Sequence, residues 1–348
     1  MRVASRRYFL EVPGGVEAVT RGELKRLGVR GLQPVPGGFR LSGADGAALA
    51  RASRAATISA TYLSLTFDVP RPKALLGDAA FRELVTAVKG VLEGGGFDGL
   101  RVSAAGADSP TFTRFARELC KATGLEHDQE GGELLVRVRP DPEGGWEVLV
   151  RLTPRPATTR AWRVCNRPGG LNAAVAAAMN ELVGLGADDA YLNLMAGSGT
   201  LLIERALRAP ARRLVGFDVD PEAVACAEAN AAAARAPACE WRLGDVTDAA
   251  FMRGLRATTS DYFDALTADA PWGDAVGAHA ANRRLYPQIL TAAASVARPG
   301  ARFCLLSHEI KLLRAVVGGQ SAWRIERELQ VAHGGHNPLV LLLSKAQE

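Results

Sequence analysis

The sequence predicts an α/β fold: a doubly wound, mostly parallel sheet in the back half of the chain, behind a smaller α+β front half. Three observations predict it. From about Gly170 onward, apolar runs of strand length alternate with longer runs of helical spacing. Repeated strand–helix units of this kind pair into a parallel sheet. Before Gly170 the strands follow one another more closely, and two of them flank the long turn Pro140-Asp141-Pro142-Glu143-Gly144-Gly145. Finally, residues 1–165 carry a net charge of +6 and residues 166–348 a net charge of −1, which separates two modules with different partners.

In the front half, residues 8–12 read as a short strand closed by the turn Pro13-Gly14-Gly15. Residues 16–27 carry Val16, Val19, Leu24 and Leu27 at helical spacing, and Gly28 follows as a C-cap. Residues 39–41 suit a returning strand, 44–53 a helix and 57–69 a strand, which together make a small α+β unit over residues 1–69. A second unit spans residues 70–156. Its helix over 81–92 ends at Gly94-Gly95-Gly96, and its strand over 100–104 leads to a helix over 113–123 behind Ser109-Pro110. Residues 134–139 and 146–152 alternate as paired strands.

A basic connector follows over residues 157–169. Arg151, Arg155, Arg160, Arg163 and Arg167 line up with no Asp or Glu between Glu147 and Glu181. A solvated linker would have this composition, and so would a strip that tracks phosphates; the long absence of acids favours the strip. Arg114 on the front helix is a further candidate for contact with RNA.

The back module covers residues 170–348. Its order is a helix over 171–185, a strand over 190–195, a helix over 200–207 and a strand over 213–218. A helix over 221–234 opens with Pro221 in its first turn. Strands over 239–243 and 265–269 precede a helix over 282–297 that Pro299-Gly300 ends. A strand over 301–307, a helix over 309–317 and a closing strand pair over 323–331 and 339–344 complete it.

Composition excludes several classes. With 48% hydrophobic residues the chain is not disordered, and no apolar run approaches the 18 residues of a membrane span. The basic N-terminus lacks the apolar stretch of a secretory signal, so the expectation is a cytoplasmic protein with no membrane partner, and, with no oligomeric interface legible in the sequence, a monomer. Five cysteines, an odd count without a CxxC pair, argue against a disulfide framework and a structural zinc site, and the thiols are expected to be reduced. His333-Gly334-Gly335-His336 offers two imidazoles without a third ligand nearby, so a turn is expected there and no metal.

Four motifs carry chemistry. Asn193-Leu194-Met195-Ala196-Gly197-Ser198-Gly199-Thr200 lies between a strand and a helix, where small residues let a ligand approach the backbone. Leu202 stands where a dinucleotide fingerprint needs its third glycine. Asp218 ends the next strand 21 residues after Gly197, a spacing that suits the two hydroxyls of a ribose, while Asp220 is placed to cap the helix opening at Pro221. Leu243-Gly244-Asp245-Val246 puts a carboxylate where an adenine amino group can be met. Asp269-Ala270-Pro271-Trp272-Gly273 ends the fourth strand: proline fixes the turn, so the Asp269 side chain and the Ala270 carbonyl can face one pocket, and Trp272 offers a flat face for a base. Such a pair of acceptors holds an exocyclic NH2 by both hydrogens.

These motifs together resemble the class I S-adenosylmethionine-dependent methyltransferases that methylate amines, whose fold is a Rossmann-like, seven-stranded, mostly parallel sheet. The front half resembles THUMP-domain proteins, with a ferredoxin-like unit followed by a THUMP unit. Arg160-Ala161-Trp162-Arg163 and Arg167-Pro168-Gly169-Gly170-Leu171-Asn172 resemble the segment that opens the catalytic domain. The whole chain is most similar to the tRNA guanine-N2-methyltransferases that act on guanosine 6 of the acceptor stem. The resemblance implies S-adenosylmethionine as cofactor, tRNA as partner, and Asp269, Ala270, Pro271 and Trp272 as the catalytic motif. It also implies that Asn172, Asn193, Ala196, Gly197, Ser198, Gly199, Asp218, Val219, Asp245 and Val246 hold the cofactor. Asn193-Leu194 replaces the usual Asp-Pro, and Trp272 replaces the usual Phe or Tyr. The alternatives are the same chemistry on rRNA, on another tRNA position or on adenine N6, or a non-catalytic RNA-binding protein that retains the shell.

Overall fold

The computed structural model describes residues 7–43, 46–236, 239–256, 261–271 and 279–347. The chain divides into two compact units, one of residues 1–12 and 24–158, the other of residues 13–23 and 159–348.

The first unit is built on β1 (Arg7–Glu11), β2 (Leu32–Val35), β3 (Gly38–Leu41), β4 (Ala60–Phe67), β5 (Leu100–Ala104), β6 (Leu134–Pro140) and β7 (Trp146–Arg151). These form one sheet in the order β2-β3-β1-β4-β7-β6-β5, so strands from both front segments share a single ladder. All pairs are antiparallel except β5–β6. The helices in this stretch of chain are α1 (Glu17–Arg26), α2 (Gly46–Ala52), α3 (Asp78–Leu92) and α4 (Pro110–Thr123); most of α1 groups with the second unit. Leu84 and Val88 of α3 and Phe112, Phe115 and Leu119 of α4 bury against Val102, Val136 and Val148 of the sheet. Pro110 opens α4, and Gly124 closes it in the left-handed conformation that a glycine adopts without Cβ strain. Sequence periodicity misses β2, an edge strand of four residues that includes Pro34.

The second unit continues with α5 (Ala173–Val183), β8 (Ala190–Leu194), α6 (Thr200–Ala206), β9 (Arg213–Asp218), α7 (Pro221–Ala234), β10 (Glu240–Leu243), α8 (Ala249–Gly254) and β11 (Phe263–Asp269). It ends with α9 (His279–Val296), β12 (Ala297–Ser307), α10 (Ile310–Gly318), β13 (Trp323–Gln330) and β14 (Leu339–Lys345). The sheet order is β10-β9-β8-β11-β12-β14-β13. The first five strands are parallel and the closing pair is antiparallel, so the sheet is mixed, with its parallel part where strand–helix alternation predicts it. Helices α5, α6 and α7 pack in succession, as do α8, α9 and α10. Every residue of β8 is buried, as a central parallel strand covered on both faces requires. The short helix α8 escapes the periodicity reading; Asp248 caps it by accepting from the amides of Ala250 and Phe251.

Strands β8 to β12 all end at the same edge of the sheet. The antiparallel pair turns back there too, between Gln330 and Leu339. Open α/β sheets bind their ligands at this carboxyl edge. No helix among the described residues is long and apolar enough to cross a membrane.

One expectation is corrected. Cys165 and Cys226 form a disulfide across 61 residues of sequence. The Asn230 side chain pins the backbone N–H and C=O of Cys165 beside α7, which brings the two sulfurs together. An odd cysteine count leaves room for a single bridge, and the spacing carries no motif that announces it. Cys120, Cys239 and Cys304 take no part in this bridge.

Candidate cofactor and acceptor site

A cavity of about 520 Å³ opens at the carboxyl edge of the second unit. The residues from Arg167 to Leu171, the glycine turn, Asp218 to Asp220, Gly244 to Val246 and Asp269 to Pro271 line it. A cavity of about 420 Å³ beside α9 and α10 holds no titratable side chain, and one of about 540 Å³ in the first unit holds only Arg30 and Arg51, without a carboxylate.

The glycine turn is fixed from two sides. The Ala196 amide donates to the Phe217 carbonyl at 2.8 Å, and the Gly197 amide donates to Asp218 Oδ2, also at 2.8 Å. The two glycines divide the labour. Gly197 has φ +55°, and a Cβ there would meet open space. Gly199 has φ +83°, and its Cβ would lie 2.8 Å from the Trp241 ring and 2.9 Å from Ala227. Gly197 therefore presents bare backbone to the cavity, while Gly199 lets α6 close onto the sheet. Leu202, in the place of a third dinucleotide glycine, is fully buried. Met195, with φ +52°, is a non-glycine residue held in the left-handed region at the cavity wall, a position that sequence patterns do not flag.

Asp218 also accepts the Asp220 amide on Oδ1, and Asp220 caps α7 as its position before Pro221 predicts. Val219 stands 65% exposed between them, an apolar surface in the cavity wall available to a flat ring. Asp245 is exposed and accepts the Thr247 amide; Val246 is buried behind it. Ala196 and Ser198 line the cavity as expected.

Besides Gly199, two predicted cofactor residues lie off the cavity lining. Asn172 caps α5, accepting from the amides of Ala174 and Val175, while the residues just before it line the wall. Asn193 is fully buried and donates to the carbonyls of Leu194 and Thr267. Both brace the backbone under the site.

At the end of β11, Asp269 borders the cavity. The residue is partly exposed, yet its Oδ1 is shielded from solvent and has no hydrogen-bond partner among the described residues. Desolvation pushes its pKa up to about 7. An unused acceptor on a group poised near neutrality is what an incoming N–H donor needs. The Ala270 amide donates to the Leu306 carbonyl, and the Tyr286 hydroxyl donates to the Pro271 carbonyl at 2.8 Å, so β12 and α9 hold this loop. Trp272 lies outside the described residues.

The arginine strip turns largely inward. Arg151 is buried and donates to the carbonyls of Glu133 and Thr153. Arg160 makes a forked pair with Glu204 at 2.7 and 3.2 Å. Arg163 donates to the Leu171 carbonyl and to Thr200 Oγ1, and Arg167 pairs with Asp220 and Glu222. These four hold the protein together where sequence reading expects phosphate contacts. Arg155 and Arg114 remain exposed.

A glycine turn, acidic groups at successive strand ends and a buried Asp-x-Pro loop on this sheet define a methyltransferase domain. Residues 160–338 match the family described as RMKL-like, methyltransferase domain (UPF0020), and the chain belongs to that family. Solved structures share the fold over both units. TrmN from Thermus thermophilus is 22% identical, with a TM-score of 0.74 over 98% of this chain and 99% of its own. A predicted N6-adenine-specific DNA methylase from Listeria monocytogenes str. 4b F2365 is 16% identical, with a TM-score of 0.68 over 99% and 97%. SMU.472, crystallised with SAH, is 15% identical, with a TM-score of 0.66 over 100% and 99%.

Proposed function

We propose that this chain is an S-adenosylmethionine-dependent RNA methyltransferase that methylates guanine N2 in tRNA, at guanosine 6 of the acceptor stem. The observation that carries the reading is the Asp269 Oδ1, shielded from solvent and without a partner among the described residues, in the same cavity as Gly197 and Asp218. The family match supports methyl transfer, and the solved complex of SMU.472 with SAH on the same fold supports the cofactor. Residues 1–69 are read as a ferredoxin-like unit and 70–156 as a THUMP unit, which would grip RNA through backbone and shape.

When bound, the cofactor supplies an electrophilic methyl on a sulfonium. Asp218 receives the ribose hydroxyls, Val219 and Val246 border the adenine, and Asp245 meets its amino group. Asp269 and the Ala270 carbonyl accept the two hydrogens of the target amine, which aims the nitrogen lone pair at the methyl group. Most of the rate then comes from positioning and from easing positive charge on nitrogen. A guanine in a stem must first be flipped out, at a cost of roughly a few kcal/mol.

The test is methylation of unmodified tRNA transcripts with position mapping by nucleoside mass spectrometry. N2-methylguanosine at position 6 is the expected product. Another methylated nucleoside keeps the enzyme and replaces the substrate. Absence of S-adenosylmethionine binding would leave a non-catalytic shell.

A further inference from the structure

Three histidines outside the cofactor cavity converge at the carboxyl edge of the second unit. His308 directly follows the last residue of β12. His333 and His336 flank Gly334 and Gly335 in the turn between β13 and β14, where the two histidines exchange backbone hydrogen bonds at 2.9 Å. The glycines take φ values of +58° and +81°, which is how so tight a turn returns the chain. The His308 ring lies 5.5 Å from that of His336 at an angle of 76°, and 6.0 Å from that of His333 at 59°.

The cluster sits on one particular side of Asp269. Residues that suit the cofactor stand at the ends of β8, β9 and β10, to one side of β11. The histidines belong to β12 and the β13–β14 turn, on the other side. Ser307, next to His308, shares a hydrogen bond of 2.7 Å with the Tyr286 hydroxyl that holds the Pro271 carbonyl. A cofactor held at the ends of β8, β9 and β10 would leave the β12 side of Asp269 to the acceptor.

We propose that His308, His333 and His336 form the wall against which the methyl-accepting base lies, a site for a planar, uncharged heterocycle. This rests on the methyltransferase reading above. Flat rings at crossed angles offer both a stacking face and an edge to a base. His333 Nδ1 is buried without a hydrogen-bond partner among the described residues. Burial and the neighbouring imidazoles push His308 down to about 4, and burial, His336 and Arg163 push His333 down as well. The nearby carboxylate of Glu309 is taken by His279 and Asn282. Neutral imidazoles give one donor and one acceptor each, which suits a base edge better than a phosphate.

The experiment uses the full chain and two readouts. In the first, His308→Ala, His333→Ala and His308→Phe are compared with the wild type in S-adenosylmethionine binding by calorimetry and in kcat/KM on tRNA. The alanine variants are expected to keep cofactor affinity within about twofold and to lose about tenfold or more in kcat/KM, while phenylalanine at 308 restores most of it. In the second, guanosine and ribose 5-phosphate are titrated against the histidine Cε1–H resonances. Guanosine is expected to move those of His308, His333 and His336, and ribose 5-phosphate to leave them in place. Alanine variants with wild-type kcat/KM, a response to ribose 5-phosphate alone, or no response to either probe would overturn the proposal. Loss of the methyltransferase reading has a separate signature, a wild-type protein that binds no S-adenosylmethionine.

Discussion

The Asp218 carboxylate accepts the Gly197 amide at 2.8 Å, across 21 residues of sequence, and so couples the end of β9 to the glycine turn after β8. One carboxylate therefore shapes the glycine turn and presents its remaining lone pairs to the cavity. Asp218→Ala removes both functions at once. Charge-assisted hydrogen bonds contribute about 1.5–3 kcal/mol each. S-adenosylmethionine affinity is expected to fall by at least about tenfold in calorimetry. Unchanged affinity would place the ribose elsewhere.

Asp269 predicts a pH dependence with a definite sign. Burial raises its pKa from the usual 3.8 to about 7, so the folded protein holds the proton longer than the unfolded chain does. Its contribution to stability is full below about pH 4 and is lost as pH rises through 7. Activity runs the other way, because the ionised carboxylate is the better acceptor for the amine. The kcat/KM of the free enzyme is expected to rise with pH through an apparent pKa near 7. Asp269→Asn should flatten the stability slope between these pH values and abolish methylation, with RNA affinity nearly intact. Turnover by this variant at the wild-type rate would remove Asp269 from the chemistry.

The Tyr286 hydroxyl joins α9, β12 and the Asp269 loop through Ser307 Oγ and the Pro271 carbonyl. Its pKa is pushed up to about 12 by burial, so it stays a donor at working pH. Tyr286→Phe leaves the ring in place and frees the Pro271 carbonyl. The expected result is a loss of roughly tenfold in kcat, about the worth of one buried hydrogen bond, with cofactor affinity unchanged. Equal losses in cofactor binding and kcat would instead indicate general loosening of the fold.

Sequence patterns find the cavity lining wherever it sits at a strand end. Asp218 and Asp269 follow largely apolar runs of strand length, Asp245 follows the short, half-polar β10, and Gly197 precedes a helix, so position and residue type coincide. Asn172 and Asn193 show the limit. A polar residue beside a glycine turn can face the ligand or brace the backbone, and only the backbone path decides; here both brace. The arginine strip shows the same limit: its acidic partners Glu204 and Asp220 lie 44 and 53 residues away, and Arg163 is held by a backbone carbonyl, none of which a count of acids along the strip can register. Tyr286 and the Cys165–Cys226 bridge were illegible because each depends on contacts between elements without a local motif.

The arginines can be separated by experiment. Glu204 is 4% exposed in its side chain and is held by Arg160. Arg160→Ala leaves that carboxylate only the field of Arg163, and breaking a buried pair costs about 3–5 kcal/mol. A large fall in the urea midpoint is therefore expected. The Arg155 side chain is 73% exposed. Arg155→Ala should leave the midpoint unchanged and, if this residue touches a phosphate, lower the salt slope of RNA binding by about one. A stable Arg160→Ala protein with a reduced salt slope would return Arg160 to the RNA surface.

The Cys165–Cys226 bridge makes the last prediction, because it holds more than the fold. Asn230 binds both the Cys165 backbone and the Ser198 carbonyl, so one side chain on α7 ties the segment that leads to Arg167 to the glycine turn. The disulfide anchors that same segment to the same helix, four residues earlier along α7. Residues 167–171 then continue as one wall of the cavity. Closing a loop of this size stabilises a protein by roughly 2–4 kcal/mol. Cys226→Ser, or reduction of the wild type, is expected to lower the thermal midpoint by several degrees. Cofactor affinity should also fall, but only partly, because Asn230 retains its three hydrogen bonds. Asn230→Ala in the reduced protein removes the second tether, and the two changes together should cost more affinity than the sum of the single losses. Strict additivity would mean that the two tethers act on the cavity wall independently, and unchanged affinity in Cys226→Ser would mean that the bridge stabilises the fold without shaping that wall.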